Sequence, residues 1–490
     1  MISTQPAPPR TPRPVSLTEA LIPVGTLALL LGFAYYLFGD EAATGPNQVA
    51  LTFCTLVASL VAVRRGHSFE ALRNAAVASV TTGLYAIFIL LAVGSLIGTW
   101  ALSGTLVAMI YYGLQLLNPD YFYVTAALIC AVVALSIGSS WTVAGTIGIG
   151  LMGIAREMGL DPAITAGAII SGAYFGDKSS PLSDATNLAC VAADAKLYDH
   201  VVEALWTSVP TLAVTLALFW WLGEPRAYDA SAAVNGIEAA FDISATAFLP
   251  LFLVLALAIL RLPPFMTIFL GALAGALLAI VIVPDQVIAF ANDPELTPGF
   301  ALLKGAWSAM ATGYISDVGD AEIDRLLSRG GMDSMLGTIW LIIAALAFGG
   351  IIEKAGIIDR LITPVIRASK STGTLILSLV AAAVSTNILA ADQYIAIVLP
   401  GRMFQRAFHS RKLAPVVLSR AIGDSATVTS ALIPWNSCGA YMAATLGIAT
   451  ISFAPFCFFN LLNPLVTVFF AFIGFRMLKP TPEQPTLPKH

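Results

Sequence analysis

The sequence predicts an all-α polytopic membrane protein of about 12–14 membrane passages, built as two halves that each carry a polar interruption. Three observations lead there. Of 490 residues, 58% are hydrophobic and only 11% charged, with a mean hydropathy of +0.84, a composition foreign to soluble multidomain chains. Apolar runs long enough to cross about 30 Å of hydrocarbon recur along the chain. Between them lie segments that are apolar but broken by Gly, Pro, Ser and Thr, at 139–155, 162–194, 389–409 and 413–449. The same composition excludes other classes. No stretch has the core pattern of a soluble catalytic domain. A formal charge of −4 spread over many loops argues against nucleic acid as a partner. Cys54, Cys130, Cys190, Cys438 and Cys457 lie in apolar segments without C-x-x-C spacing, so neither a disulfide nor a zinc site is expected.

In chain order, residues 1–19 read as a disordered N-terminal tail, with Pro6, Pro8, Pro9, Pro12 and Pro14 around Arg10 and Arg13 rather than the apolar core of a cleaved signal. A first membrane repeat occupies 20–222, with apolar runs near 20–38, 48–63, 77–99, 104–117, 121–137 and 200–222. Residues 223–244 form a loop, 245–283 scaffold helices, and 284–333 an extramembrane or surface linker. A second membrane repeat spans 334–476, with runs near 334–352, 372–390 and 451–475, before a C-terminal tail at 477–490. Lys and Arg in short loops mark the cytoplasmic side. Arg10, Arg13, Arg64, Arg65 and Arg73 then share it, which puts the N-terminus in the cytoplasm of a multi-pass protein of the cell (inner) membrane. The side of the basic loop Arg402, Arg406, Arg411 and Lys412 depends on how many interrupted segments cross. His67, His200, His409 and His490 read as solvated, and Trp220 with Trp221 as an interfacial belt.

The first half is organised around Gly176-Asp177-Lys178-Ser179-Ser180-Pro181-Leu182-Ser183-Asp184-Ala185-Thr186-Asn187, set between the apolar runs 163–175 and 188–193. Two carboxylates, an ammonium, four hydroxyls and an amide at lipid depth are costly and point to function. Pro181 lacks an N–H and its ring blocks the helical bond, so a broken helix is expected over 176–187, with freed carbonyls in need of partners. A bound cation is one such partner. The second half repeats the pattern. An offset of 247 carries Ser139-Ser140-Trp141 onto Thr386-Asn387-Ile388 and Gly176-Asp177 onto Gly423-Asp424, and after a two-residue shift Asn187 falls on Asn436. A second broken helix is therefore expected over 423–436, ending at Pro434 and Asn436. Paired interruptions in two halves of a transporter point to a midplane binding site.

Each of these residues has a plainer reading. Asp177 and Asp424 could cap helices or pair with a neighbour such as Lys178, yet both sit in long apolar contexts and recur, which favours ion or proton binding. Burial disfavours the charged form, as a site exchanging protons for cations requires. Asp184 fits a helix cap and an ion ligand equally well. Ser139, Ser140, Thr142, Thr386 and Asn387 could serve close helix packing; their register instead suggests re-entrant hairpin tips near 138–142 and 385–393 that face the broken helices. Asp392 adds a carboxylate at membrane depth in the second half, beside Gln393. Trp141 and Trp435 stand where they would pack the site.

With these residues in view, the chain resembles the NhaC family of sodium/proton antiporters, within the broader ion transporter superfamily. The resemblance rests on Gly176-Asp177-Lys178-x-Ser180-Pro181-Leu182-Ser183-Asp184-x-Thr186-Asn187, on Ser419-Arg420 leading to Asp424-Ser425, on Thr427-x-Thr429-Ser430 and on Leu432-Ile433-Pro434-Trp435-Asn436-x-Cys438-Gly439. Gly138-Ser139-Ser140-Trp141-Thr142, Arg329-Gly330-Gly331-Met332 and Leu399-Pro400-Gly401-Arg402-Met403 add to it, so that it covers about 85–450. Ala185 and Ala426 stand where the family has threonine and glycine; the first change removes a hydroxyl ligand. The resemblance implies two inverted repeats, each with a re-entrant hairpin and a broken helix, and exchange of Na⁺ for H⁺ by alternating access, with no cofactor and Na⁺ as the transported ion. Asp177 and Asp424 would ligate the ion, with Asp184, Ser180, Thr186, Asn187, Ser140, Thr142, Asn387, Asp392, Thr427, Thr429 and Asn436 supplying further ion- or proton-binding groups, since oxygen ligation suits a hard cation. Relatives that exchange organic acids make Na⁺-coupled exchange of small carboxylates, with Lys178 or Arg420 facing the anion, the first alternative. An intramembrane aspartyl protease, with two carboxylates sharing a proton, is a remote one. Partners are Na⁺, H⁺ and the lipid bilayer, and a homodimer stays open.

Overall fold

The structure, a computed structural model, describes residues 12–223, 231–240, 243–317, 324 and 327–480. Arg10, His490 and most of both expected tails lie outside the described residues. The helical run begins inside the stretch assigned to the tail: Ser16 and Glu19 form a reciprocal capping box that starts α1 (Leu17–Phe38). Glu19 also pairs with Arg65, and the Arg13 N–H donates to the Arg65 carbonyl at 2.8 Å, tying the N-terminus to the turn between α2 (Pro46–Arg64) and α3 (Phe69–Leu102).

After α4 (Thr105–Leu116), α5 (Phe122–Ile137) descends to Gly138 and the chain returns through α6 (Ser140–Val143), a π turn at Ala144–Gly148 and α7 (Ile149–Glu157). Next comes the broken pair α8 (Pro162–Ser179) and α9 (Asp184–Ala193), followed by α10 (Leu197–Leu222). Helix α11 (Ser231–Ala240) lies in the expected loop, and α12 (Leu249–Ile259) and α13 (Pro264–Ile282) are the scaffold helices. The segment expected as an extramembrane or surface linker holds α14 (Pro284–Ala291) and α15 (Pro298–Ala311), and is laid on α3: Ser95 Oγ donates to the Met310 carbonyl at 3.0 Å, and the Gly331 N–H to the Gly94 carbonyl at 2.7 Å. The second half runs α16 (Leu336–Lys354), the amphipathic α17 (Ile357–Ala368), α18 (Thr372–Ala390) and α19 (Gln393–Ser410). It closes with α20 (Pro415–Ile422), a π turn at Gly423–Thr427, a short turn at Ser430–Leu432, α21 (Ser437–Leu446), α22 (Thr450–Phe453) and α23 (Phe458–Ile473).

Among the described residues, eight helices are long and apolar enough to cross a membrane, and two bent pairs raise the number to ten. The larger sequence count of passages also took in hairpin legs and half-helices that are too short to cross alone. One bent pair is the second broken helix, where Pro415–Leu432 meets Ser437–Leu446 at 49°.

The helices correct the register of the repeat. Element boundaries recur at an offset of 253, not 247: Pro162 and Pro415 begin α8 and α20, Asp184 and Ser437 begin α9 and α21, Leu197 and Thr450 begin α10 and α22. The hairpin turns, Gly138 and Ala391, are the same distance apart and both adopt positive φ. So are Pro181 and Pro434. The prolines fix the break because they cannot continue a helix; a Gly-Asp pair carries no such constraint. The counterpart of Asp177 is therefore Ser430, and Asp424 lies six residues earlier on its helix, about 9 Å along the axis.

Candidate functional site

At the first hairpin turn Gly138 takes φ +78°, and Ser139 caps α6 by accepting from the Thr142 N–H at 3.2 Å. The next residue is thereby aimed at the broken helix. Ser140 donates to Asp177 Oδ2 from its N–H at 3.2 Å and from its hydroxyl at 2.6 Å. From the other side the Ser183 hydroxyl donates to Asp177 Oδ1. The break is satisfied locally. Thr186 Oγ1 donates to the carbonyls of Asp177 and Lys178 at 3.2 and 3.0 Å, Asn187 Nδ2 to those of Pro181 and Ser183 at 3.2 and 2.8 Å, and Ser180 Oγ accepts from the Leu182 N–H at 3.2 Å. The cap of α9 is Ser183, which accepts from the Thr186 N–H. Asp184, read as cap or ligand, is an exposed residue of the first helical turn.

Asp177 reaches a cavity of about 790 Å³, whose wall also includes Trp141, Thr142, Asp184, Asn187, Asp392 and Arg261. Trp141 stacks on Tyr441 at 4.0 Å between ring centroids. Among the described residues no cationic side chain pairs with Asp177. Among the described residues no group of three His, Cys, Asp or Glu converges as a metal cluster; hydroxyl, amide and main-chain oxygens stand beside the carboxylate.

The second hairpin reverses at Ala391, and Asp392 caps α19 by accepting from the Ile395 N–H at 2.9 Å. Gln393 Oε1 then accepts from the Ser430 hydroxyl at 2.8 Å, the contact that Ser140 and Asp177 make in the first half. Asn387, in the last turn of α18, donates to the Ala426 carbonyl at 2.7 Å and to Thr429 Oγ1 at 3.0 Å, and accepts from Asn436 Nδ2 at 3.1 Å. Asn436 caps α21 through the Cys438 N–H at 3.0 Å. Trp435 Nε1 donates to the Ile388 carbonyl at 2.8 Å, and Thr427 is buried in the π turn.

Asp424 stands apart from the cavity. It is fully buried in an ion pair with Lys178 and also accepts from Thr207 Oγ1 at 3.0 Å and from the Thr467 hydroxyl. Lys178 donates in turn to Ser208 Oγ at 2.6 Å. The pair lies on a polar seam between α10 and α23, continued by Asn463 Nδ2 donating to Thr211 Oγ1 at 3.3 Å and ending where Glu203 holds Arg420 and Arg476. Asp177 and Asp424 are thus brought into one region by adjacent residues of α8, but into different environments. Lys178 and Arg420, each named as an anion partner, are committed to Asp424 and Glu203. His200, expected to be solvated, is buried with Nδ1 2.9 Å from Ser419 Oγ, because it opens the buried face of α10 rather than a loop. Sequence reasoning missed Thr207, Ser208, Thr467 and Glu203. The signal was present: His200, Glu203, Thr207, Thr211 and Thr215 recur every three or four residues, one polar face of an apolar helix.

Residues 172–475 match the Na⁺/H⁺ antiporter family. The chain is 35% identical over 457 residues to the Na⁺/H⁺ antiporter NhaC of Alkalihalophilus pseudofirmus, covering 92% of this chain and 96% of that protein. It is 33% identical over 469 residues to the malate-2H⁺/Na⁺-lactate antiporter of Bacillus subtilis, covering 94% of this chain and 95% of that protein. It is also 33% identical over 477 residues to the arginine/ornithine antiporter ArcD of Halobacterium salinarum, covering 96% of this chain and 94% of that protein.

Proposed function

The chain belongs to the Na⁺/H⁺ antiporter family, and from that membership we propose that it is a secondary antiporter in which Na⁺ and H⁺ compete for Asp177. One observation carries this reading: Asp177 is a buried carboxylate at a cavity wall, held by the hydroxyls of Ser140 and Ser183 and paired with no cation among the described residues. Such a group takes either a proton or a hard cation. Thr142 and Asn187 offer neutral oxygens on the same wall, and Asp184 and Asp392 add negative charge that draws cations in. Asp424 with Lys178 is the second charged element, one residue along α8 from the first, so movement of α8 is felt at both. The halves act as inverted repeats whose relative motion exposes the cavity to alternate sides, with the N-terminus and the loop of Arg64, Arg65 and Arg73 on the cytoplasmic face of the inner membrane. Proteoliposomes with an internal pH dye test it: Na⁺ on one side should drive a pH change that malate, lactate and K⁺ do not, and no Na⁺-driven change would refute it.

Coupled carboxylate exchange is the second reading, favoured by Arg261 on the cavity wall and by the likeness to a malate/lactate antiporter. The same liposomes decide it. A protease would need two carboxylates sharing one proton, and Asp424 is instead bound to Lys178.

A further inference from the structure

Among the described residues, the cavity beside Asp177 has one cation on its wall, Arg261. It stands in the turn Arg261-Leu262-Pro263-Pro264 between α12 and α13, and all four residues line the cavity. The turn is fixed in place. The Arg261 N–H donates to the Ala258 carbonyl at 3.0 Å and the Leu262 N–H to the Leu257 carbonyl at 3.1 Å, while Phe265 packs edge-on against Phe88 of α3 with ring centroids 5.7 Å apart. Arg261 itself takes φ +64°, a helix-ending conformation that glycine adopts freely and that strains any residue with a Cβ. A charged side chain held in a strained conformation at a cavity wall points to a role. Arg261 is exposed and makes no ion pair among the described residues.

Carboxylates from three elements line the same cavity: Asp177 on α8, Asp184 on α9 and Asp392 at the start of α19. Tyr85, Tyr394 and Cys438 are the other titratable groups of the wall, and Glu353 of α16 lies in electrostatic range of Asp392. Tyr85 stands against the Phe265 backbone and in electrostatic range of Asp184, which is in turn in range of Asp177. We propose that Arg261 is a tethered cation that competes with Na⁺ for these carboxylates. The proposal rests on the reading of Asp177 as the ion site. A guanidinium stays charged at every working pH and matches carboxylate geometry. With neither Na⁺ nor a proton on Asp177, Arg261 supplies the positive charge the cavity needs, and Na⁺ entering the site displaces it. The pairing also ties α9 and the second hairpin to a turn fixed on α3, which holds the unloaded site to one side of the membrane, as one-for-one exchange requires.

One positive charge disfavours Na⁺ and H⁺ alike, so its removal strengthens the binding of both. Where Asp177 holds a proton the two gains cancel; where it is bare, only the gain for Na⁺ remains. The test is calorimetric titration of Na⁺ into the detergent-purified full chain at constant ionic strength, across about pH 6 to 9. Arg261→Gln should tighten the affinity plateau at high pH about three- to tenfold, as for a unit charge about 8 Å away at an effective dielectric between those of a protein surface and water. The plateau should begin about half to one pH unit higher, with affinity at the acid end as in wild type. Arg261→Gly, which also relieves the turn and so guards against misfolding, should show the same shift, and Arg261→Lys should stay close to wild type. Gln and Gly variants that match wild type, or that change affinity equally at every pH, would overturn the proposal. So would an Arg261→Gln variant that loses malate- or lactate-driven exchange while its Na⁺ curve is unchanged, since the guanidinium would then serve an organic anion. A wild type that binds no Na⁺ would fail the Asp177 reading and this proposal with it, whereas variants that match a Na⁺-binding wild type would fail this proposal alone.

Discussion

Lys178→Met isolates the buried ion pair. Lys178 Nζ and the Asp424 carboxylate have no exposed side-chain surface, and among the described residues Asp424 gains the hydroxyls of Thr207 and Thr467 besides. Methionine keeps the length of the side chain and removes the charge, so Asp424 is left buried with hydroxyl donors alone. Breaking a buried pair from one side costs about 3–5 kcal/mol, or about two to three and a half decades in the folded-to-unfolded ratio. Replacing both partners removes the uncompensated charge. Lys178→Met with Asp424→Asn should therefore recover at least about 2 kcal/mol of that loss, because the amide oxygen still accepts from one of the two threonines and its NH2 donates to the hydroxyl of the other. Unfolding of the two single variants, the double variant and wild type in one detergent, followed by denaturant titration, measures the cycle. If Lys178→Met is as stable as wild type, or if the two losses simply add, the pair does not hold α8 to the π turn as described.

Other perturbations follow from the same contacts. Asp177→Asn should abolish Na⁺-driven pH change in everted vesicles while leaving insertion intact, because an amide keeps the shape but exchanges no proton near neutral pH; Asp424→Asn should also abolish it, through loss of the Lys178 partner. Gly138→Ala forces a non-glycine residue to φ +78° and puts its Cβ 2.7 Å from the Leu182 carbonyl carbon, so the tip should withdraw from Asp177 and exchange should fall at least tenfold, read as initial rate at equal protein. Ala391→Gly relieves the matching conformation at φ +58°, and should raise stability by up to about 1–2 kcal/mol in the same denaturant titration.

Much of this was legible in the sequence because membrane depth is intolerant of polar groups. A proline with hydroxyls, carboxylates and an amide inside an apolar run has few explanations, and both broken helices and both hairpin turns lie where those residues stand. The register was not legible. Gly176-Asp177 and Gly423-Asp424 look alike as letters, yet helix continuity is decided by Pro181 and Pro434, and their spacing of 253 places Ser430, not Asp424, opposite a hairpin tip. The partners of Asp424 escaped for a different reason. Thr207 and Thr467 lie in the apolar runs 200–222 and 451–475, where single hydroxyls are common packing residues, and only the approach of α10 to α23 turns them into ligands of a carboxylate. Asp184 was ambiguous because capping residues and ion ligands have the same chemistry; Ser183 takes the cap, and Asp184 stands on the cavity wall.

The measurement closest to the central claim is proton release when Na⁺ is added to the detergent-purified protein in weak buffer, followed with a pH dye across about pH 6 to 9 in wild type and Asp177→Asn. A buried carboxyl that holds a proton must give it up to bind Na⁺, so release should be large at the acid end and shrink as pH rises and the proton leaves unaided. Over the same range the Na⁺ concentration for half-release should fall and then level off. Asp177→Asn should release nothing at any pH. Equal release from Asp177→Asn and wild type, or a half-release concentration that stays flat with pH, would place the competition elsewhere and contradict the account.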